Sequence, residues 1–137
     1  MYEKILAAID ASEIGERVLA AAEELATLGD GEVHVLHLWE SEPSRSMACT
    51  APTWEDAQMV VKAATEQLAE AGIRASGEVA ANLHSRWAFE ITRCANSHDA
   101  SVIVIGSRRR SDLSSLLAGS TAHKVVHAAD CPVVVVP

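Results

Sequence analysis

The residues best equipped for chemistry lie at positions 106–120, GSRRRSDLSSLLAGS. The apolar, β-branched run Val102-Ile103-Val104-Ile105 before them suits a strand covered on both faces, and Gly106 ends it. Gly119-Ser120 then precedes a helical period of Ala122, Val125, Val126 and Ala129, so Ser120 is placed to cap a helix through its hydroxyl. A strand end joined to a helix start makes an anion trap, because outward N–H groups and the positive end of the helix dipole favour phosphate. Arg108-Arg109-Arg110 adds three adjacent cations in an otherwise acidic chain. Three readings of that run stay open: a solvated loop, a bidentate phosphate contact, or a plug that crowds the phosphate position. Ser111, Ser114 and Ser115 are candidate phosphorylation sites, since an added phosphate would occupy the same positive loop.

Asp10 follows the first apolar run and has two readings, a turn carboxylate bonded to nearby N–H groups or an acceptor for the adenine or ribose of a nucleotide. His37 reads as a core histidine, since no partnered carboxylate or second ligand is evident. His123 and His127 lie one helical turn apart without an intervening glutamate or a third ligand, and no metal site is assigned. Cys49, Cys94 and Cys131 form neither a metal spacing nor an even disulfide set, which fits reduced and mostly buried thiols. There is no P-loop, no G-x-S-x-G elbow, no clustered Cys/His set and no carboxylate pair of catalytic spacing. No catalytic residue is assigned, and binding rather than turnover is the expected activity.

The elements that must position these groups follow from periodicity. Residues 4–9 predict a first strand, and Asp10-Ala11-Ser12 turns it into a helix capped by Ser12, with Ile14, Val18, Ala22, Leu25 and Leu28 on one face. Gly29-Asp30-Gly31 ends that helix, and residues 33–38 predict a second strand holding His34 and His37 among apolar neighbours. Residues 39–52 lack a period and contain two prolines, predicting a long loop that is either a lid or a connection with Trp39 packed on the rim. Thr53-Trp54-Glu55-Asp56 forms a capping-box pattern, and Trp54, Ala57, Val61, Ala64, Leu68 and Ala71 make a core-facing stripe that Gly72 stops. Residues 73–80 predict a weaker strand in which Gly77 marks an edge position or a bulge. Trp87, Ala88, Ile91, Cys94 and Ala95 mark a third helix, ended by Asn96-Ser97-His98-Asp99 before a fourth strand over 101–105. Five strands alternating with four helices predict an α/β fold with a doubly wound parallel sheet.

Gly106, two residues, position 109, nine residues and Gly119-Ser120 resemble the G-x2-G-x9-G-[ST] signature of the universal stress protein family, with Arg109 at the middle glycine. The segment His123-Lys124-Val125-Val126-His127-Ala128, Cys131-Pro132 and the final valines are similar to that family's closing helix and strand. Lys4-Ile5-Leu6-Ala7-Ala8-Ile9-Asp10 is similar to its opening strand and aspartate. The resemblance spans the chain and implies a single domain, 1–137, with five strands ordered 3-2-1-4-5 and helices on both faces, of nucleotide-binding α-hydrolase-like type. It implies a nucleotide pocket formed by Ala8, Ile9, Asp10, Leu38, Ile105, Gly106, Ser107, Arg108, Arg109, Gly119, Ser120 and Thr121. The implied ligand is ATP, alone or with Mg, or a related adenine nucleotide. A dimeric stress-response signalling module is the implied role, with an unidentified protein partner and a homodimer formed through Val133 to Val136, an apolar edge that invites pairing with its copy. Where the family places a glycine after the third strand, this chain has Asn82, which tolerates similar backbone geometry. Two competing readings keep the fold: a module for protein interaction that has lost the nucleotide through Arg109, and a nucleotide hydrolase or transferase using the same crevice.

Composition narrows the partners. With 137 residues, 49% hydrophobic, the chain has apolar material for one core. A formal charge of -8 argues against nonspecific nucleic-acid binding, which depends on neutralising phosphates. No apolar run approaches the roughly 20 residues of a membrane span, and Met1-Tyr2-Glu3-Lys4 leads into a strand rather than a signal peptide. The expected location is the cytoplasm.

Overall fold

The computed structural model describes residues 2–10, 13–40, 51–107 and 120–137. The chain runs β1 (Lys4–Ile9), α1 (Ile14–Gly29), β2 (Glu32–Glu40), α2 (Trp54–Glu70), β3 (Arg74–Asn82), a 3-10 turn (His84–Arg86), α3 (Trp87–Ser97), β4 (Val102–Gly106), α4 (Thr121–Ala128) and β5 (Val133–Val136). The strands form one parallel sheet in the order β3-β2-β1-β4-β5, as the resemblance implied.

Alternation along the strands divides the core in two. Ile5, Ala7, Val33, Val35, Val102 and Val104 face α1 and α2, meeting Val18, Ala22, Ala64 and Leu68. Leu6, Ala8, Leu36, Leu38, Ile103 and Ile105 face α3 and α4, meeting Trp87, Ile91, Cys94, Ala122 and Val125. The central strands are therefore apolar on both sides, which is why they read as continuous hydrophobic runs. Each fully buried Leu or Ile, such as Leu68 and Ile91, contributes on the order of 1.5–3 kcal/mol.

Several boundaries differ from the sequence expectations. Leu28 is 82% exposed: two residues beyond the buried Ala26, it has turned to the far side of α1. The cap position of α1 is Glu13, with no side-chain hydrogen bond, while Ser12 lies outside the described residues. Asp30, rather than either flanking glycine, takes the left-handed conformation that ends α1, at φ 49°. Trp39 and Glu40 belong to β2 instead of a loop, because pairing with β3 continues to Glu40 opposite Asn82. The Trp39 indole N–H donates to the Pro52 carbonyl at 2.8 Å and its ring meets Trp54 edge-on, so Trp54 is half-exposed on this rim rather than in the core. The rest of the expected lid, 41–50, lies outside the described residues.

The capping box of α2 is formed as expected: the Asp56 N–H donates to the Thr53 hydroxyl at 3.1 Å, and the Thr53 N–H donates to the Asp56 carboxylate at 2.9 Å. The buried stripe of α2 ends at Leu68, since Ala71 is already the exposed cap residue. Of the two readings of Gly77, the edge position holds: the register of β3 is unbroken, so there is no bulge. A Cβ at Gly77 would stand 2.5 Å from Val61 Cγ1, so glycine lets α2 settle on the edge strand. The fourth strand is shifted by one residue from the predicted 101–105, since the Ser101 N–H and hydroxyl both donate to the Lys4 carbonyl ahead of the ladder.

Candidate functional site

From the neighbouring strands β1 and β4 the chain runs off in opposite directions along the sheet, to β2 on one side and to β5 on the other. Ala8 pairs with Ile105, so Asp10 and Ser107 leave β1 and β4 side by side at the carboxyl edge. β1 leads to α1 on one face, and the chain after β4 leads to α4 on the other. Helices that join parallel strands run back along the sheet, so α1 and α4 both begin at this edge, and the crevice between them is where such sheets take ligands.

Each expected site residue has a definite place or lies outside the described segments. Ala8, Leu38 and Ile105 are buried together on the α3–α4 face, whereas the Ile9 side chain packs on the α1–α2 face. Asp10 is half-buried and its carboxylate charge reaches His37. A Cβ at Gly106 would stand 2.8 Å from Ile14 Cγ2, so this glycine lets the first residue of α1 close over the end of β4. The Ser107 N–H donates to the Val136 carbonyl at 2.8 Å, which leaves its hydroxyl as the group able to turn to a ligand. Ser120 caps α4 as expected, its Oγ accepting the His123 N–H at 3.0 Å. The amides of Thr121 and Ala122 precede the first helical hydrogen bond and project from the start of α4. Arg108, Arg109, Arg110, Ser111, Ser114, Ser115 and Gly119 lie outside the described residues.

The groups at this edge are of two kinds, helix-start amides and a carboxylate. The start of α4 offers amides and a positive dipole to phosphate, and Asp10 offers a carboxylate acceptor to hydroxyl or amino groups. His37, 1% exposed, lies behind this edge opposite Ile9 in the ladder. Burial holds its imidazole below the ordinary value, against the opposing effects of the Ile9 backbone and the Asp10 charge, and Nδ1 has no partner among the described residues.

A second polar constellation lies on the α3 side of the sheet. Glu78 Oε1 receives His34 Nε2 at 3.0 Å and the Cys94 thiol at 3.3 Å, with His98 Nε2 at 3.6 Å. The rings of His34 and His98 stack with centroids 3.9 Å apart, and His34 Nδ1 meets the Ser76 hydroxyl at 2.7 Å. Sequence alone gives His34 no partner, buries Cys94 on a helix face and puts His98 at a helix end. Two signals could have found the cluster: Cys94 and His98 are spaced i, i+4, and Ser76 and Glu78 alternate onto one strand face.

A sequence model of the Universal stress protein family matches residues 1–137. The chain belongs to the universal stress protein family. This universal stress protein is 32% identical over 141 residues to the universal stress protein of the QAH/OAS sulfhydrylase 3′ region of Thermus aquaticus, covering 99% of both chains. To Universal stress protein YxiE of Bacillus subtilis strain 168 it is 30% identical over 150 residues, again covering 99% of each. Its fold is similar to that of the universal stress protein from Archaeoglobus fulgidus solved in complex with dAMP, with a TM-score of 0.66, 28% identity, and 99% and 98% of the two chains covered. No helix among the described residues is long and apolar enough to cross a membrane.

Proposed function

We propose that this universal stress protein binds ATP or a related adenine nucleotide in the crevice between β1 and β4, and that as a cytoplasmic homodimer it relays stress through a protein partner. The observation that carries this reading is the emergence of Asp10 and Ser107 side by side from adjacent parallel strands whose onward connections run in opposite directions along the sheet. The dAMP bound by the Archaeoglobus fulgidus relative supports the ligand class. In this reading the amides of Thr121 and Ala122 receive a phosphate, Asp10 holds the nucleoside, and Ala8, Leu38 and Ile105 form the apolar wall behind it. Arg108 and Arg109 supply the cations for the phosphates in this reading. Mg accompanies ATP as the counter-charge of its phosphates. β5, an edge strand with Val135 40% exposed, supplies the two-fold contact.

Calorimetric titration with Mg-ATP, AMP and cyclic AMP tests the ligand. Micromolar binding by the wild type, lost on Asp10→Ala, is expected. Binding by Arg109→Gly alone would instead favour a protein-interaction module whose inherited site is plugged by arginine. Sedimentation that gives a monomer at high micromolar concentration would sink the dimer.

A further inference from the structure

Four ligand-type side chains from three elements meet away from the crevice. His34 comes from β2, Glu78 from β3, and Cys94 from α3, while His98 follows α3 directly. Nothing in the nucleotide reading uses them. We propose that His34, Glu78, Cys94 and His98 form a binding site for one borderline transition-metal cation of the zinc class.

Geometry comes first. One ligand atom from each of the four residues lies within 4.8 Å of all the others, and the three contacts to Glu78 Oε1 are 3.0, 3.3 and 3.6 Å. Tetrahedral zinc with bonds of about 2.0–2.3 Å separates its ligand atoms by roughly 3.4 Å, a spacing that the three contacts to Glu78 Oε1 already bracket, while the widest pair has to draw together by at most about 1.4 Å. The scaffold is already fixed. His34 is registered opposite Ser76 in the β2–β3 ladder, and Cys94 is buried beside Ile91 and Ala95. Three elements are pinned independently of any ligand, which lowers the ordering cost of binding.

The donor chemistry selects the cation. Two imidazoles and a thiolate do not suit Mg²⁺ or Ca²⁺, which prefer oxygen, whereas zinc accepts nitrogen, sulfur and carboxylate together. One thiolate and one carboxylate also balance a divalent charge. His34 has the outer support typical of a metal ligand: Nε2 faces the cluster while Nδ1 meets the Ser76 hydroxyl. Entry is open, because the side chains of Glu78 and His98 are 46% and 43% exposed. His34 and His98 also line a cavity of about 240 Å³ that reaches Lys4, Ser76 and Asp99.

Binding must displace a proton. The Cys94 thiol donates to Glu78 Oε1 and so carries a proton that a cation has to replace. The cation takes the sulfur lone pair as the S–H proton leaves to solvent, and affinity therefore rises with pH. The site ties the edge strand β3 to α3. His34 pairs with Leu6, four residues before Asp10 in the same numbering, so metal and nucleotide occupy different ends of the sheet and can fail separately.

The test is titration of metal-stripped, phosphine-reduced full chain with Co²⁺, followed by Zn²⁺ displacement. One equivalent should bring the visible bands of tetrahedral cobalt and a sulfur-to-cobalt charge-transfer band, both removed by Zn²⁺. Cys94→Ser should abolish the charge-transfer band, and His98→Ala, at an exposed position, should weaken binding at least tenfold, a loss of about 1.4 kcal/mol. Ser76→Ala should weaken it by about tenfold through the outer support. Cys131→Ser and His123→Ala should bind as the wild type does. Absence of tetrahedral bands in the wild type, or bands that persist in His98→Ala at full affinity, would overturn the site; so would their loss in Cys131→Ser. If Cys94→Ser fails to fold, His98→Ala, checked by circular dichroism, decides alone.

Discussion

Ile14 and Gly106 meet where α1 passes over the end of β4: a Cβ at position 106 would stand 2.8 Å from Ile14 Cγ2 and 3.0 Å from its Cγ1. The glycine that opens the 106–120 stretch is thus demanded by helix packing before any ligand is considered. Gly106→Ala should destabilise the fold by about 1–3 kcal/mol, the usual cost of overpacking, measured by urea unfolding. Ile14→Ala in the same chain should recover part of that loss, and purely additive effects would show that the two residues do not conflict.

A second glycine makes the same argument at the other edge. Gly77→Ala would place a methyl group against Val61 Cγ1, the Val35 carbonyl and Thr65 Cγ2, so a loss of about 1–3 kcal/mol is expected. Val61→Ala should relieve the backbone-independent share. Equal unfolding midpoints for wild type and Gly77→Ala would mean that α2 can shift at no cost.

The capping box closes the first turn of α2 immediately after Pro52. Thr53→Ala removes the acceptor of the Asp56 N–H and should cost about 0.5–2 kcal/mol. Thr53→Ser, which keeps the hydroxyl, should cost much less. Equal losses in the two variants would show that the cap contributes nothing.

Stability should depend on pH through His37. Its folded-state pKa lies below the ordinary 6.5, chiefly because it is buried. Below that pH the unfolded chain binds more protons than the folded chain, so stability falls as pH falls and is complete above 6.5. Glu78 acts in the same direction in a more acidic window: burial raises its carboxyl, but the hydrogen bonds from His34 and Cys94 hold it below its usual 4.5. Melting temperatures between about pH 5 and 7 should therefore slope upward in the wild type and flatten in His37→Leu. An unchanged slope in the variant would assign the dependence to another group.

The architecture was legible because each element's signal is local. β-Branched runs such as Val102-Ile103-Val104-Ile105 and the regular spacing of Ala57, Ala64 and Leu68 state their own periods. Leu28 misled for a related reason: leucine fits the apolar pattern, yet a rotation of two residues from Ala26 turns it to solvent. Half of the crevice was legible too, since Asp10 and Ser120 sit at element ends marked by composition. The Glu78 cluster was not. His34 and Glu78 are 44 positions apart, and only strand order and register make them neighbours. A histidine's partner across a sheet has no spacing rule in sequence, whereas a helix cap does.

The bond from the Ser107 N–H to the Val136 carbonyl joins the exit of β4 to β5. In the proposed dimer this bond would be the shortest link between the two-fold contact and the proposed nucleotide site. Coupling of this kind is reciprocal: whatever factor edge-to-edge association adds to ligand affinity, the ligand must return to association. Concentration of the protein and concentration of its ligand would then be read as a product by a single strand.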